Sequence, residues 1–410
     1  MKKYRLLISC GEVSGDQRGS EVVESLKTIC PSIQIRGMGG AQLAASGVEI
    51  LVDARKGGGV MGFVEVASKI HTLYRSYSTM VNEIRSWRPD AVLLVDFPDF
   101  NLRLAKVARS CNIPVYYYIP PKVWAWRAGR VEVIKRTVSA VGCIFPFEPQ
   151  YYVDHDFRDV EYVGHPFLQS FRGPSNTKAE MCKLLGVKEQ DPIALVMPGS
   201  RSAEVTRHVP SLVQALTELR RSIPTLQSVW VSPSPEKMVV LEHSVRQELA
   251  RFGSSADGQF FTNGDARDLM YYSDFGLLKS GTCNLEAAFA GLPFVSFYKA
   301  SPISVFIARY VVKLKEVSLV NICKPQSVVE LIQESCNGKA IVEAVNSLLG
   351  RVDRVRQDLA DVRAMFGDAA AVTVPAPLRV AGRILSFMEQ GSRLTQVSDG
   401  AEDRRDQDEN

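Results

Sequence analysis

Hydrophobic positions along the chain follow two alternating rhythms. Short, nearly unbroken apolar runs, rich in β-branched and aromatic residues, recur at 4–10, 33–37, 91–96, 115–119, 141–145 and 160–163. Between most of them lie longer stretches with apolar residues three and four apart, as at 62–85 and 102–110. A continuously apolar run fits a strand covered on both faces, and the three-four spacing fits one face of a helix. Their alternation predicts an α/β fold built on a parallel, doubly wound sheet. The stretch 164–177 (GHPFLQSFRGPSNT) breaks the rhythm with Gly, Pro and Ser and reads as a linker. A second series follows at 193–197, 228–231, 259–262, 275–278 and 294–297, with helices expected to start near Ala203, Glu236, Asp265, Thr282 and Pro302. The pattern thus predicts two consecutive doubly wound domains facing each other across a cleft, with ligands at the carboxyl ends of the strands. From about residue 338 the chain reads as all-helical. The last twenty residues carry nine charges and almost no apolar side chains, which predicts a disordered tail at 391–410.

Composition narrows the classes of function. With 410 residues, 46% of them hydrophobic, the chain is long enough for two or three domains with cores of their own. Forty-nine Lys and Arg against forty-five Asp and Glu leave +4, too small an excess to imply a nucleic-acid partner. Eight scattered cysteines include no Cys-x-x-Cys pair, which fits buried thiols in a reducing compartment. The five histidines show no metal-ligand spacing, so no metal is expected. No stretch of 18 apolar residues occurs, and the expectation is a soluble or membrane-surface protein.

Most of the candidate chemistry falls just after predicted strands. Residues 10–16 (CGEVSGD) follow the first strand; their glycines allow close backbone approach, and the loop is either a ligand loop or a tight turn with an Asp cap. Residues 95–101 (VDFPDFN) place Asp96 and Asp99 three apart at a strand end. Asp99 is there either a helix cap or a base that takes a proton from a hydroxyl nucleophile. Trp124 and Trp126, in VWAWR, offer one core ring and one ligand wall. Gly199, Ser200 and Arg201, in MPGSR, end a strand with a guanidinium suited to phosphate. Ser280, Gly281 and Thr282 open a helix whose amides make an anion cradle, and Glu286, four residues on, suits ribose hydroxyls or the helix dipole. His165, in Gly-His-Pro, is either structural or cleft-lining.

Taken in order, nine segments resemble the lipid-A-disaccharide synthase family: GEVSGD, VMGFVEV, DFPDFN, VWAWR, FPFE, VGHP, PGSRSAEV, SGTCNLEAAFAGLP and SLVN. The resemblance spans about residues 4–390. It implies a GT-B glycosyltransferase with two Rossmann-like domains, an acceptor domain over 1–168 completed by a C-terminal helix at about 366–390 that crosses back, and a UDP-sugar domain over 169–365. The reaction implied is inverting transfer of 2,3-diacylglucosamine from UDP-2,3-diacylglucosamine to 2,3-diacylglucosamine 1-phosphate (lipid X), at the cytoplasmic face of the inner membrane and without a cofactor or metal. A homodimer is a further partner to consider. Matched by motif, Asp99 is the base, Glu12 and Ser14 bind substrate, and Gly199, Ser200, Arg201, Ser280, Gly281, Thr282, Glu286 and Asn321 hold the nucleotide. The chain departs from the family at Lys56–Gly59, at Val320 and in the loop Ile322–Gln326. The amphipathic segment 60–80 is the expected membrane contact. Rival readings are another UDP-sugar GT-B enzyme and a non-catalytic nucleotide- or lipid-binding relative.

Overall fold

The computed structural model describes residues 3–54, 63–125, 127–166, 168, 171, 173–300, 316–367 and 374–405, with backbone alone at 63–70 and 391–405. The chain divides into two compact units, 1–169 with 369–410, and 170–368. The helix expected near Pro302, Trp126 and the start of the segment 60–80 lie outside the described residues.

Unit 1 holds strands β1 (Arg5–Cys10), β2 (Gln34–Gly39), β3 (Glu49–Asp53), β4 (Ala91–Val95), β5 (Val115–Tyr118), β6 (Ala140–Cys143) and β7 (Val160–Tyr162). They form one sheet in the order β3-β2-β1-β4-β5-β6-β7, every pair parallel. Continuous apolar runs are buried on both faces. All five residues of β4 are buried, as are Tyr116, Tyr117 and Tyr118 of β5. The helices are α1 (Val13–Ile29), α2 (Ala41–Ala45), α3 (Phe63–Ser86), α4 (Pro98–Ser110), α5 (Arg130–Thr137) and α6 (Glu148–Val153). The chain's last helix also belongs to this unit, where Ala376, Val380, Ala381, Ile384 and Met388 share a core with Val22, Val23 and Leu26 of α1.

Unit 2 holds β8 (Ile193–Met197), β9 (Gln227–Ser232), β10 (Gln259–Asn263), β11 (Phe275–Lys279), β12 (Phe294–Tyr298) and β13 (Val329–Ile332), parallel throughout in the order β10-β9-β8-β11-β12-β13. Its helices are α7 (Lys178–Leu185), α8 (Ser202–Ser222), α9 (Pro235–Arg251), α10 (Arg267–Tyr272), α11 (Thr282–Ala290), α12 (Leu319–Cys323), α13 (Gly338–Leu349) and α14 (Val352–Met365); α15 (Ala376–Arg405) closes the chain. α7 starts sharply because Thr177 and Glu180 form a capping box.

Two strands, β3 and β13, escape the sequence pattern. Both are edge strands with mostly half-buried residues, as are β7 and β10, whose Tyr162, Phe260 and Phe261 supply an aromatic signal that β3 and β13 lack. The tail needs correction too: the disorder expected from residue 391 gives way to helix through Arg405. Composition measures only what the segment can bury. A helix already anchored by Val380, Ile384 and Met388 extends at the cost of one residue per added hydrogen bond, without a new nucleus.

Strand order places the chemistry. In an open parallel sheet a crevice forms where the order reverses, outside the carboxyl ends of two neighbouring strands whose connections leave in opposite directions. In unit 1 those strands are β1 and β4, which carry the CGEVSGD and VDFPDFN loops. In unit 2 they are β8 and β11, which carry the MPGSR and KSGT loops.

Candidate active site

The β4–α4 turn is strained and tightly held. Asp96 and Phe97 adopt φ of 50° and 48°, two successive non-glycine residues in the left-handed region, each costing roughly 1–3 kcal/mol. The buried Asn101 holds them: its Nδ2 donates to the Asp96 carbonyl at 2.7 Å and lies 3.3 Å from the carbonyls of Val95 and Ser9. Ser9 Oγ donates to Asn101 Oδ1 at 2.6 Å, and Tyr117 Oη donates to the Asp96 carbonyl at 2.8 Å. The Phe97 ring occupies the space a side chain at Gly11 would need, since a Cβ there would lie 2.2 Å from the ring. Gly11 therefore lets the two switch-point loops touch.

This turn aims Asp99. The N-cap of α4 is Phe97 and Pro98 is the first helical residue, so Asp99 lies inside the first turn and does not cap. Its carboxylate is 72% exposed. Oδ1 accepts from Arg127 Nη1 at 3.1 Å and from Arg130 Nη2, while Oδ2 has no partner among the described residues. One oxygen is anchored and the other is open.

Glu12 and Ser14 line a mostly apolar cavity of about 730 Å³ in unit 1, together with Met38, Val52, Leu73 and Phe97. Burial, and then the Asp96 charge, push the Glu12 carboxyl above its ordinary value. Burial raises Asp96 as well, against the Phe97 N–H and Lys122, which favour its anion. Asp16 of the same motif serves the fold instead. Its carboxylate accepts from the amides of Gly40 at 2.6 Å and Gln42 at 2.9 Å, fixing the loop before α2. The VWAWR and FPFE motifs meet in the core of unit 1. Trp124 Nε1 donates to Glu148 Oε1 at 2.9 Å, and the Trp124 ring packs edge-on against Phe145 and Phe147. His165 packs on Phe145, and burial, with Arg18 and Lys122 nearby, lowers its pKa to about 4.

In unit 2 one buried carboxylate organises the β8 loop. Glu204 accepts from the amides of Ser200 at 3.1 Å and Arg201 at 3.3 Å, and pairs with Arg201 Nη1 and Lys279 Nζ, each at 3.3 Å. Burial opposes its charge, but Lys279 and the loop amides outweigh burial and hold its pKa below the ordinary value. Gly199 sits at φ +130°, with Glu204 so close that a Cβ would meet Oε2 at 2.5 Å. The Arg201 side chain remains 76% exposed, and Lys237 Nζ donates to the Ser200 carbonyl at 2.8 Å. His208 staples this loop to β12: Nδ1–H donates to the Pro198 carbonyl at 2.6 Å and Nε2 accepts from the Lys299 amide at 2.9 Å. Both roles together require a neutral imidazole, and burial lowers its pKa accordingly.

At the end of β11, the Ser280 amide bonds the Phe297 carbonyl and Gly281 precedes α11, which starts at Thr282. Glu286 is half-buried with no hydrogen-bond partner among the described residues, and burial followed by Asp265 raises its pKa while Arg267 opposes. Its acceptors are thus unspent. Asn321 is placed differently: it is buried, its Nδ2 donates to the Val328 carbonyl at 2.9 Å and to Glu330 Oε1 at 2.8 Å, and its Oδ1 accepts from the Val328 amide. Its amide is spent inside the fold, closing the loop whose sequence departs from the family pattern.

The family model for lipid-A-disaccharide synthetase matches residues 6–370. The chain belongs to the lipid-A-disaccharide synthase family. The Myxococcus xanthus lipid-A-disaccharide synthase is 35% identical over 393 residues, covering 94% of this chain and 98% of that one. The Syntrophus aciditrophicus enzyme is 33% identical over 371 residues, covering 90% and 94%. Among solved structures, a UDP-GlcNAc 2-epimerase from Neisseria meningitidis bound to UDP-GlcNAc aligns at TM-score 0.57 with 13% identity, over 93% of this chain and 100% of that one. MurG of Acinetobacter baumannii aligns at 0.55 with 14% identity, over 94% and 100%. These two structures share the GT-B fold with this member of the synthase family, a glycosyltransferase of lipid A biosynthesis.

Asn101, Glu204 and His208, which hold the loops carrying the candidate residues, are the neighbours that sequence reasoning missed. A signal existed for two of them: Asn101 and Glu204 stand inside the DFPDFN and PGSRSAEV segments. Their partners, Ser9 and Lys279, lie 92 and 75 positions away and are not legible in the motif.

Proposed function

We propose that the protein transfers 2,3-diacylglucosamine from UDP-2,3-diacylglucosamine to the 6-hydroxyl of lipid X. The hydroxyl oxygen bonds to the anomeric carbon as its proton passes to Asp99. The bond from that carbon to the β-phosphate oxygen breaks, and UDP leaves with inversion. The products are a β-1,6-linked disaccharide 1-phosphate and UDP. The observation that carries this reading is Asp99 itself: an exposed carboxylate, fixed through Oδ1 and open at Oδ2, on a strained switch-point turn. A base oriented in this way needs no reorganisation to accept the proton.

For the donor, Arg201 and the start of α11 would offset charge building on the departing UDP, and Glu286 would accept from the ribose hydroxyls. The unit 1 cavity, at about 730 Å³, falls within the size range of small-molecule sites and suits an apolar acceptor portion beside Glu12 and Ser14. No helix among the described residues is long and apolar enough to cross a membrane. The exposed Leu73 and Tyr74 of α3 support contact with the cytoplasmic surface of the inner membrane instead.

Mass spectrometry after mixing both lipids with the enzyme tests the reaction. The expected result is a tetraacyl disaccharide 1-phosphate formed in step with UDP; unchanged substrates would refute it. Liposome flotation lost in Tyr74→Glu is expected for the membrane role, and undiminished flotation would remove α3 from it.

A further inference from the structure

Lys279 is the last residue of β11, beside the Ser280–Thr282 turn. Its Nζ lies 3.3 Å from Glu204 Oε1 and 5.3 Å from the centre of the Tyr298 ring. A Cβ placed on Gly281 would be 3.9 Å from the same nitrogen, so the ammonium stands over the turn that starts α11. The neighbouring strand β8 brings Arg201 to the same carboxylate. Taken alone, a buried Glu204 would repel an anionic ligand from a helix start otherwise suited to one. Two cations against that one carboxylate reverse the local sign.

An ammonium has three donors, and Glu204 takes one of those of Lys279. The side chain is 21% exposed, so the nitrogen is not sealed in the core. We propose that Lys279 is a second diphosphate-binding cation, acting with Arg201 on the nucleotide, and that Glu204 fixes its position. The proposal rests on the donor reading of unit 2 given above. It adds a role for a residue whose neighbours explain its placement but whose remaining donors have no hydrogen-bond partner among the described residues.

The test compares UDP with uridine, which shares the base and ribose but lacks the phosphates. UDP is measured by titration calorimetry and uridine by ligand-observed NMR. Lys279→Met is expected to weaken UDP by about tenfold or more, the scale of one lost charge-assisted hydrogen bond, and to leave uridine within about twofold. Lys279→Arg is expected to restore most of the UDP affinity. Because Lys279→Met takes one of two cations from a buried carboxylate, the double variant Lys279→Met/Glu204→Gln removes both charges, and its UDP affinity is expected to stay weak. Parallel loss of UDP and uridine, wild-type UDP affinity in Lys279→Met, or recovery in the double variant would each overturn the proposal, the last by reducing Lys279 to a counter-ion. Absence of UDP binding in the wild type would instead overturn the donor reading, and the proposal with it.

Discussion

Replacing Asn101 with Ala tests whether the strained β4–α4 turn is held by one side chain. The variant loses the 2.7 Å bond to the Asp96 carbonyl and two 3.3 Å contacts to the carbonyls of Val95 and Ser9. It also strands the Ser9 hydroxyl, whose 2.6 Å acceptor disappears in a fully buried setting. One strong bond contributes about 1 kcal/mol net, the weaker pair together about as much, and an unsatisfied buried hydroxyl costs about 1–3 kcal/mol. The expected destabilisation is about 3–5 kcal/mol, read from urea unfolding at unchanged m-value. Activity should fall further than stability alone explains, because Asp96 and Phe97 are then free to leave the left-handed region and carry Asp99 with them. That loss should appear in kcat at saturating donor in protein that is still folded. A double-mutant cycle with Ser9→Ala should give a coupling of about 1–2 kcal/mol, since the double variant strands nothing. A loss below about 1 kcal/mol with wild-type turnover would show that the turn is held by the strands and Tyr117, not by Asn101.

Asp99→Ala should lower turnover by about 10²–10⁴-fold while leaving UDP affinity unchanged in calorimetry, as for a base outside the nucleotide loops; near-normal turnover would leave Asp99 only its arginine contacts. Gly199→Ala should cost about 2 kcal/mol and weaken UDP, because φ +130° and the 2.5 Å approach to Glu204 leave a Cβ no room, and a neutral outcome would show that the loop adapts. Stability should also fall on acidification. The His165 pKa is about 4 when folded against an unfolded value near 6.5, so the unfolded chain binds the proton first, and the contribution is complete above about pH 6.5 and lost toward pH 4, by up to about 3 kcal/mol. Chemical denaturation of His165→Gln at pH 7 and 4.5 checks the sign: the variant should lose less on acidification than the wild type. Glu286→Gln should weaken UDP more than inorganic pyrophosphate in competition experiments, and equal effects on both would remove Glu286 from the ribose.

The sequence by itself determined the parallel strands whose two faces are covered, because a run such as Ala91–Val95 must be apolar at every position to survive double burial. It also determined that glycine-rich and charged loops follow those strands, and the order of motifs that marks the family. The edge strands β3 and β13 were not legible, since they are half-covered and lack the aromatic residues that mark the other half-covered edges, β7 and β10. Tertiary structure decided which loops become neighbours: strand order sets β1 beside β4 and β8 beside β11, and no local pattern encodes that order. It also decided what each polar residue does. Asp16 and Glu12 stand in one motif, yet Asp16 fixes a loop 24 residues away while Glu12 faces a cavity. Asn321, read from its motif as a nucleotide contact, spends its amide on Val328 and Glu330, whereas Glu286 has no hydrogen-bond partner among the described residues. The physical reason is that a buried polar group must find a partner. Its residue type states what it can bond, and only the packed chain states which partner comes within reach.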